Sequence, residues 1–175
     1  MTYSRTEVEP LLSSLYSKAD YDIIFEKAAR DVHFFNMIWE MACSKPDRDA
    51  WRLLWILDHA TEKRNDFILP ILDALHHWAI RTKNDSIIRQ TMKLILRCPL
   101  QEDYAGELLD RCIGWMNNPK AKISSQALGL DFFFKVCQLY PEMKPELLAH
   151  IEAMYERHPS AGMKIRLREI SKVLE

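Results

Sequence analysis

Trp39, Trp78, Trp115 and Met154 stand 39, 37 and 39 residues apart, and this recurrence constrains the fold more than any other feature of the chain. Seven residues before each stand Val32, Ile71, Leu108 and Leu147, and one residue after those stand His33, Leu72, Leu109 and Leu148. Positions seven apart return to the same stripe of an α-helix, so each set describes one apolar helix face. A second set is interleaved with the first. Trp55, Met92, Ala127 and Leu167 are 37, 35 and 40 residues apart. Trp51, Ile88, Ile123 and Met163 precede them by four, and Asp58, Ile95, Leu130 and Ile170 follow by three. Only His33 and Asp58 break the apolar columns.

The chain therefore reads as paired helices. First members lie near 31–43, 68–81, 103–116 and 145–157, and second members near 48–63, 86–97, 120–139 and 161–174. The connectors Lys45-Pro46-Asp47, Asn84-Asp85, Asn118-Pro119 and His158-Pro159-Ser160 each precede a second helix and combine capping residues with prolines that suit helix entry. Asp47 is the expected N-cap of 48–63, its carboxylate accepting from free first-turn N–H groups. Residues 1–30 read as a terminal cap. A short helix starts at Ser4 or Thr6 and runs through Tyr16, polar residues 17–20 interrupt it, and Tyr21, Ile24, Phe25 and Ala28 mark a second amphipathic helix.

A helix pair of this length cannot bury its apolar face alone, and stacked neighbours do it instead. With the small-residue run Gln126-Ala127-Leu128-Gly129-Leu130 and the turn Leu139-Tyr140-Pro141-Glu142, residues 31–175 resemble the HEAT and armadillo-like helical repeats. The resemblance implies an all-α, right-handed α-α superhelix of about four helix pairs plus the N-terminal cap. It also implies one domain over 1–175, with the second helices lining the concave face.

Charge and composition narrow the function. The net charge of −1 disfavours nucleic acid as a partner, since proteins that live on it are usually basic. Cys43, Cys98, Cys112 and Cys137 form no C-x-x-C pair and read as core thiols of a reducing compartment. The N-terminus carries charge where a signal peptide needs an apolar run, and no stretch approaches the ~20 apolar residues of a membrane span. The expectation is a soluble cytoplasmic protein. A Gly-rich phosphate loop, a G-x-S-x-G elbow and H-E-x-x-H are all missing from the sequence.

Four features carry candidate chemistry. His76-His77 with Asp73 suggests a metal, but adjacent helical residues point about 100° apart, so they read as surface or half-buried histidines on a solvent flank and no metal or cofactor is expected. Asp58, in an otherwise apolar column, is either a groove carboxylate or a buried group bridging to the next repeat, the reading favoured here. Arg52, Arg89 and Lys164 share one repeat position, and Lys93, Lys122 and Arg168 lie close by. Stacked repeats would make these a basic ladder for an acidic protein surface or a phosphate backbone, unless acids such as Asp49, Asp85 or Glu169 pair with them. The five tryptophans fall in apolar columns and read as core, and Phe132-Phe133-Phe134 cannot all face inward on one helix.

The function expected is a non-catalytic binding or scaffold module that holds a protein or peptide on its concave face. Two alternatives stand beside it. One is a DNA-binding relative of the HEAT-like alkylpurine DNA glycosylases, with Asp58 and Trp51 or Trp55 in the acid and aromatic roles. The other is a self-associating unit that dimerises through Ile165, Ile170 and Val173; the oligomeric state, monomer or weak dimer, is left open by the sequence.

Overall fold

A computed structural model describes residues 4–13, 17–157 and 160–174. Among them there are ten α-helices and no strand. In chain order they are α1 Arg5–Ser13, α2 Lys18–Arg30, α3 Val32–Cys43, α4 Asp47–Ala60, α5 Leu72–Arg81, α6 Asp85–Leu96, α7 Glu102–Asn117, α8 Ile123–Leu139, α9 Lys144–Arg157 and α10 Ala161–Leu174. Short 3₁₀ turns at Leu69–Ile71 and Pro141–Met143 lead into α5 and α9. The four expected helix pairs are present; in the cap, α1 packs on α3 rather than on α2, and α2 packs on α3 and α4.

The helices form two compact units, Met1–Cys98 and Pro99–Glu175. In the first, α4 packs on α2 and on α6, while α3 and α5 pack against their own partners α4 and α6. Its core takes Phe34, Phe35 and Ile38 from α3, Leu54, Ile56 and Leu57 from α4, and Ile87, Met92 and Leu94 from α6. In the second, α7 lies along α8, α9 along α10, and α9 also touches α7 and α8. Phe132, Phe133 and Leu130 of α8 fill that core with Leu108, Cys112 and Met116 of α7, while Phe134 is only half-buried.

Several boundaries differ from the sequence reading, each for a local reason. Asp47 does not cap α4. The N-cap is Pro46, and the Asp47 carboxylate instead accepts from Trp78 Nε1 at 3.0 Å and from the Thr82 hydroxyl, tying the start of α4 to α5. α4 stops at Ala60 rather than 63, where the buried Thr61 hydroxyl turns back to Leu57 O at 2.7 Å. α8 begins at Ile123 rather than 120, because Asn118 builds a turn, accepting from the Lys120 and Ala121 amides. Residue 17 does not merely interrupt the pattern: Ser17 and Asp20 form a reciprocal capping box that starts α2. α1 is described to Ser13. The expected end at Tyr16, and His158-Pro159 of the last connector, lie outside the described residues.

Burial departs from the sequence reading at several positions, and in the apolar columns Val32 and Ile123 are exposed. All five tryptophans are half-buried rather than enclosed, and Trp39 meets Trp78 edge-on at 6.0 Å. Cys43 is exposed, whereas Cys98, Cys112 and Cys137 are buried as expected. Burial lifts the Cys137 thiol to about 11, and pushes Cys112 up as well.

Candidate functional site

The layer α2–α4–α6 holds the features of interest in the first unit. Asp58 projects from the last turn of α4 and is fully buried. Its carboxylate accepts from Lys93 Nζ at 2.6 Å and from Arg97 Nη2 at 2.5 Å. Arg97 Nη1 also donates to the Asp58 carbonyl at 2.9 Å and to the Thr61 hydroxyl at 3.1 Å. Two cations from α6 and its C-cap thus share the one carboxylate, leaving the trio one charge positive, and Arg97 caps the end of α4. That arrangement suits a helix C-terminus, which carries partial negative charge and unpaired carbonyls. Both carboxylate oxygens are therefore engaged within the protein.

The same device recurs. Arg64, just past α4, donates to Ala29 O near the end of α2 at 3.1 Å, and Arg157 at the end of α9 donates to Met116 O and Asn117 O at the end of α7. In the second unit Arg166 of α10 forks onto Asp131 of α8, with Nε to Oδ1 at 2.8 Å, the same 35-residue step that separates Asp58 from Lys93. Burial pushes the Asp131 carboxyl up, and Arg166 opposes that.

Lining the α2–α4 side of this layer is a cleft of about 940 Å³. Its floor is aromatic. Tyr21 and Phe25 of α2 each meet Trp55 of α4 edge-on at 5.1 Å, and His59 of α4 stacks on Phe25 at 4.5 Å. Lys18, Asp22, Glu26, Glu62 and Lys63 form the rim. His59 Nδ1 lies 2.8 Å from a Glu62 carboxylate oxygen. The cluster arises because aromatic rings stand four residues apart on both helices, at Tyr21/Phe25 and Trp55/His59, so both pairs face the helix–helix seam.

The six bases of the expected ladder divide between the units. In the first, Arg52 is exposed and lies 5.7 Å from the Trp51 ring centre, Arg89 is exposed, and Lys93 is committed to Asp58. In the second, Lys122 is the exposed residue preceding α8, Lys164 lies 5.2 Å from the Tyr155 ring centre, and Arg168 donates to the Tyr155 hydroxyl at 3.0 Å. Arg168 thereby holds the Tyr155 phenol below its usual range. The acid that engages Lys93 is Asp58, which sequence reasoning did not pair with it, and Arg97, two residues beyond the position equivalent to Asp58, was missed.

His76 corrects the solvent-flank reading. It is buried, with Nδ1 2.8 Å from Leu72 O, while His77 is exposed. Among the described residues no cluster of three or more His, Cys, Asp or Glu has the disposition of a metal site. Of the residues named for self-association, Ile165 and Val173 are exposed and Ile170 is buried. No described helix is long and apolar enough to cross a membrane.

Second helices laid side by side, bridged by ion pairs and end-caps at repeat spacing, define an all-α helical-repeat protein. The HEAT repeat domain model matches residues 8–174, and the chain belongs to the HEAT repeat family. The match starts within α1 and takes in the whole of α2. No curated protein and no solved structure matches the chain significantly. HEAT repeats are generally non-catalytic and typically mediate protein interactions.

Proposed function

We propose that this protein is a binding module that holds a protein or peptide segment on the face formed by its second helices, with the α2–α4 cleft as the primary site. The observation that carries this reading is the chemistry of that cleft. Its floor is four aromatic rings, and its rim mixes two lysines with three carboxylates. Aromatic anchors inside a polar rim are the composition of protein interfaces, where buried rings supply affinity and rim charges supply orientation. A phosphate backbone needs an excess of unpaired cations instead. Here Lys93 is committed to Asp58, and the cleft rim is acidic by one charge. The same ion pair argues against Asp58 as a catalytic acid, because both of its oxygens are occupied.

The test has two arms on the intact protein. Selection from a displayed random-peptide library is expected to recover binders that are lost in a Glu26→Lys, Glu62→Lys variant. Titration of labelled duplex DNA across salt is expected to give no tight binding at physiological ionic strength. Failure to select any peptide, with tight duplex binding abolished by Arg52→Glu, Arg89→Glu, would overturn the reading in favour of nucleic acid. A steep salt slope, on the order of one unit per phosphate contact, would accompany that outcome.

A further inference from the structure

Resting on that reading, we propose that the α2–α4 cleft is an arginine site, receiving the guanidinium of an extended basic segment of a partner protein. The floor offers Trp55, Tyr21, Phe25 and His59, all half-buried, so each keeps part of its ring surface towards the cleft. Ring faces attract cations, Trp most strongly. The rim supplies the counter-charge. Asp22 is exposed and has no ion-pair or hydrogen-bond partner among the described residues. Among the described residues Glu26 reaches only Arg30, at 3.7 Å, with both side chains more than 70% exposed, an arrangement that water and salt screen almost completely. Two carboxylates beside an aromatic floor therefore stand ready for an incoming cation.

Arginine fits better than lysine for a geometric reason. A guanidinium is planar, stacks on a ring and forks onto a carboxylate at once, whereas an ammonium is a compact, strongly hydrated point charge. The first unit already contains this combination: Arg64 lies 4.0 Å from the Phe67 ring centre while pairing with Asp66. A cleft of about 940 Å³ is far larger than one side chain, so the residues flanking the arginine have room to lie along the α2–α4 seam. Lys18 and Lys63, on the same rim, favour a segment whose basic residue has polar or acidic neighbours over an unbroken basic run.

The experiment is fluorescence anisotropy with a labelled dodecapeptide of alanine and serine carrying three spaced arginines, against versions with lysine and with citrulline, the neutral isostere of arginine. The proteins are wild type and Asp22→Asn, Glu26→Gln, Glu62→Gln, whose exposed substitutions leave the core intact, as an unchanged melting curve would verify. The arginine peptide is expected to bind saturably, with affinity falling about tenfold for citrulline or for the triple variant, the loss expected of two or three solvent-exposed charge pairs. The lysine peptide should bind several-fold more weakly. Equal affinity for arginine and citrulline or lysine, unchanged affinity in the triple variant, or no saturable arginine binding would overturn the assignment. Recovery of only acidic or purely apolar peptides in the display selection would remove the arginine site and leave the binding-module reading standing.

Discussion

An Asp58→Ala variant should lose about 2–4 kcal/mol of stability, seen as a lower urea midpoint at unchanged slope. Removing one partner of a buried pair leaves the others uncompensated, and the usual loss is roughly 3–5 kcal/mol. The expected loss is somewhat smaller here, because the Lys93 and Arg97 side chains keep 41% and 24% of their surface exposed and can turn towards water. Arg97→Ala should approach the Asp58 loss, since it also removes the donors to Asp58 O and Thr61 Oγ1. Lys93→Ala should cost less, because Arg97 still satisfies the carboxylate. Asp58→Leu should recover part of the loss: the equivalent positions Ile95, Leu130 and Ile170 are all buried and apolar. Against a typical total of about 5–15 kcal/mol, the Ala variant would be a conspicuous one. If its midpoint were unchanged, the carboxylate would not be the structural bridge described, and a ligand-binding role for it would return.

Gly129→Ala is expected to destabilise by about 1–3 kcal/mol although alanine is the better helix former. A Cβ on Gly129 would lie 2.9 Å from the carbonyl oxygen of Cys112 and 3.4 Å from that residue's carbonyl carbon and Cα. The obstruction is backbone of α7, which cannot swing aside as a side chain would, so α7 and α8 must move apart along the most extensive helix–helix contact in the protein. The internal control is Gly114→Ala in α7, where nothing stands within 4 Å of the new atom. There the propensity gain of roughly 0.5–1 kcal/mol should appear alone, as a raised melting temperature. Opposite signs for two Gly→Ala changes in one helix pair are the expected result. The same sign at both positions would refute the close approach.

How much of this was legible in the sequence follows from what each feature depends on. The helix pairs were, because apolar columns at 35–40 residues reflect packing that every repeat must satisfy, and the ridges at Ile95, Leu130 and Ile170 are buried accordingly. Asp58 stood out for the converse reason, as one carboxylate in an apolar column. Its partners were not evident: Lys93 and Arg97 are ordinary surface bases by composition, and only the stacking of α6 on α4 brings them to it. Asp47 was misread because capping is a local rule, while Trp78 and Thr82, 31 and 35 residues away, compete for the same oxygens. The cleft was hidden differently. Tyr21 and Phe25 read as the core face of a terminal helix, and Trp55 as an apolar column; that all three stay half-exposed where α2 meets α4 depends on the angle between two helices, which no spacing encodes. Within the basic ladder the partners differ from repeat to repeat, Asp58 for Lys93 and Tyr155 for Arg168, which repeat symmetry does not specify.

The central claim is that a protein segment binds along α2 and α4. Amide hydrogen exchange with the tightest peptide from the display selection, compared with the free protein, tests it most directly. Slowed exchange concentrated in residues 18–30 and 47–63 is the predicted result. Protection confined to other helices, or none at saturating peptide, would contradict it.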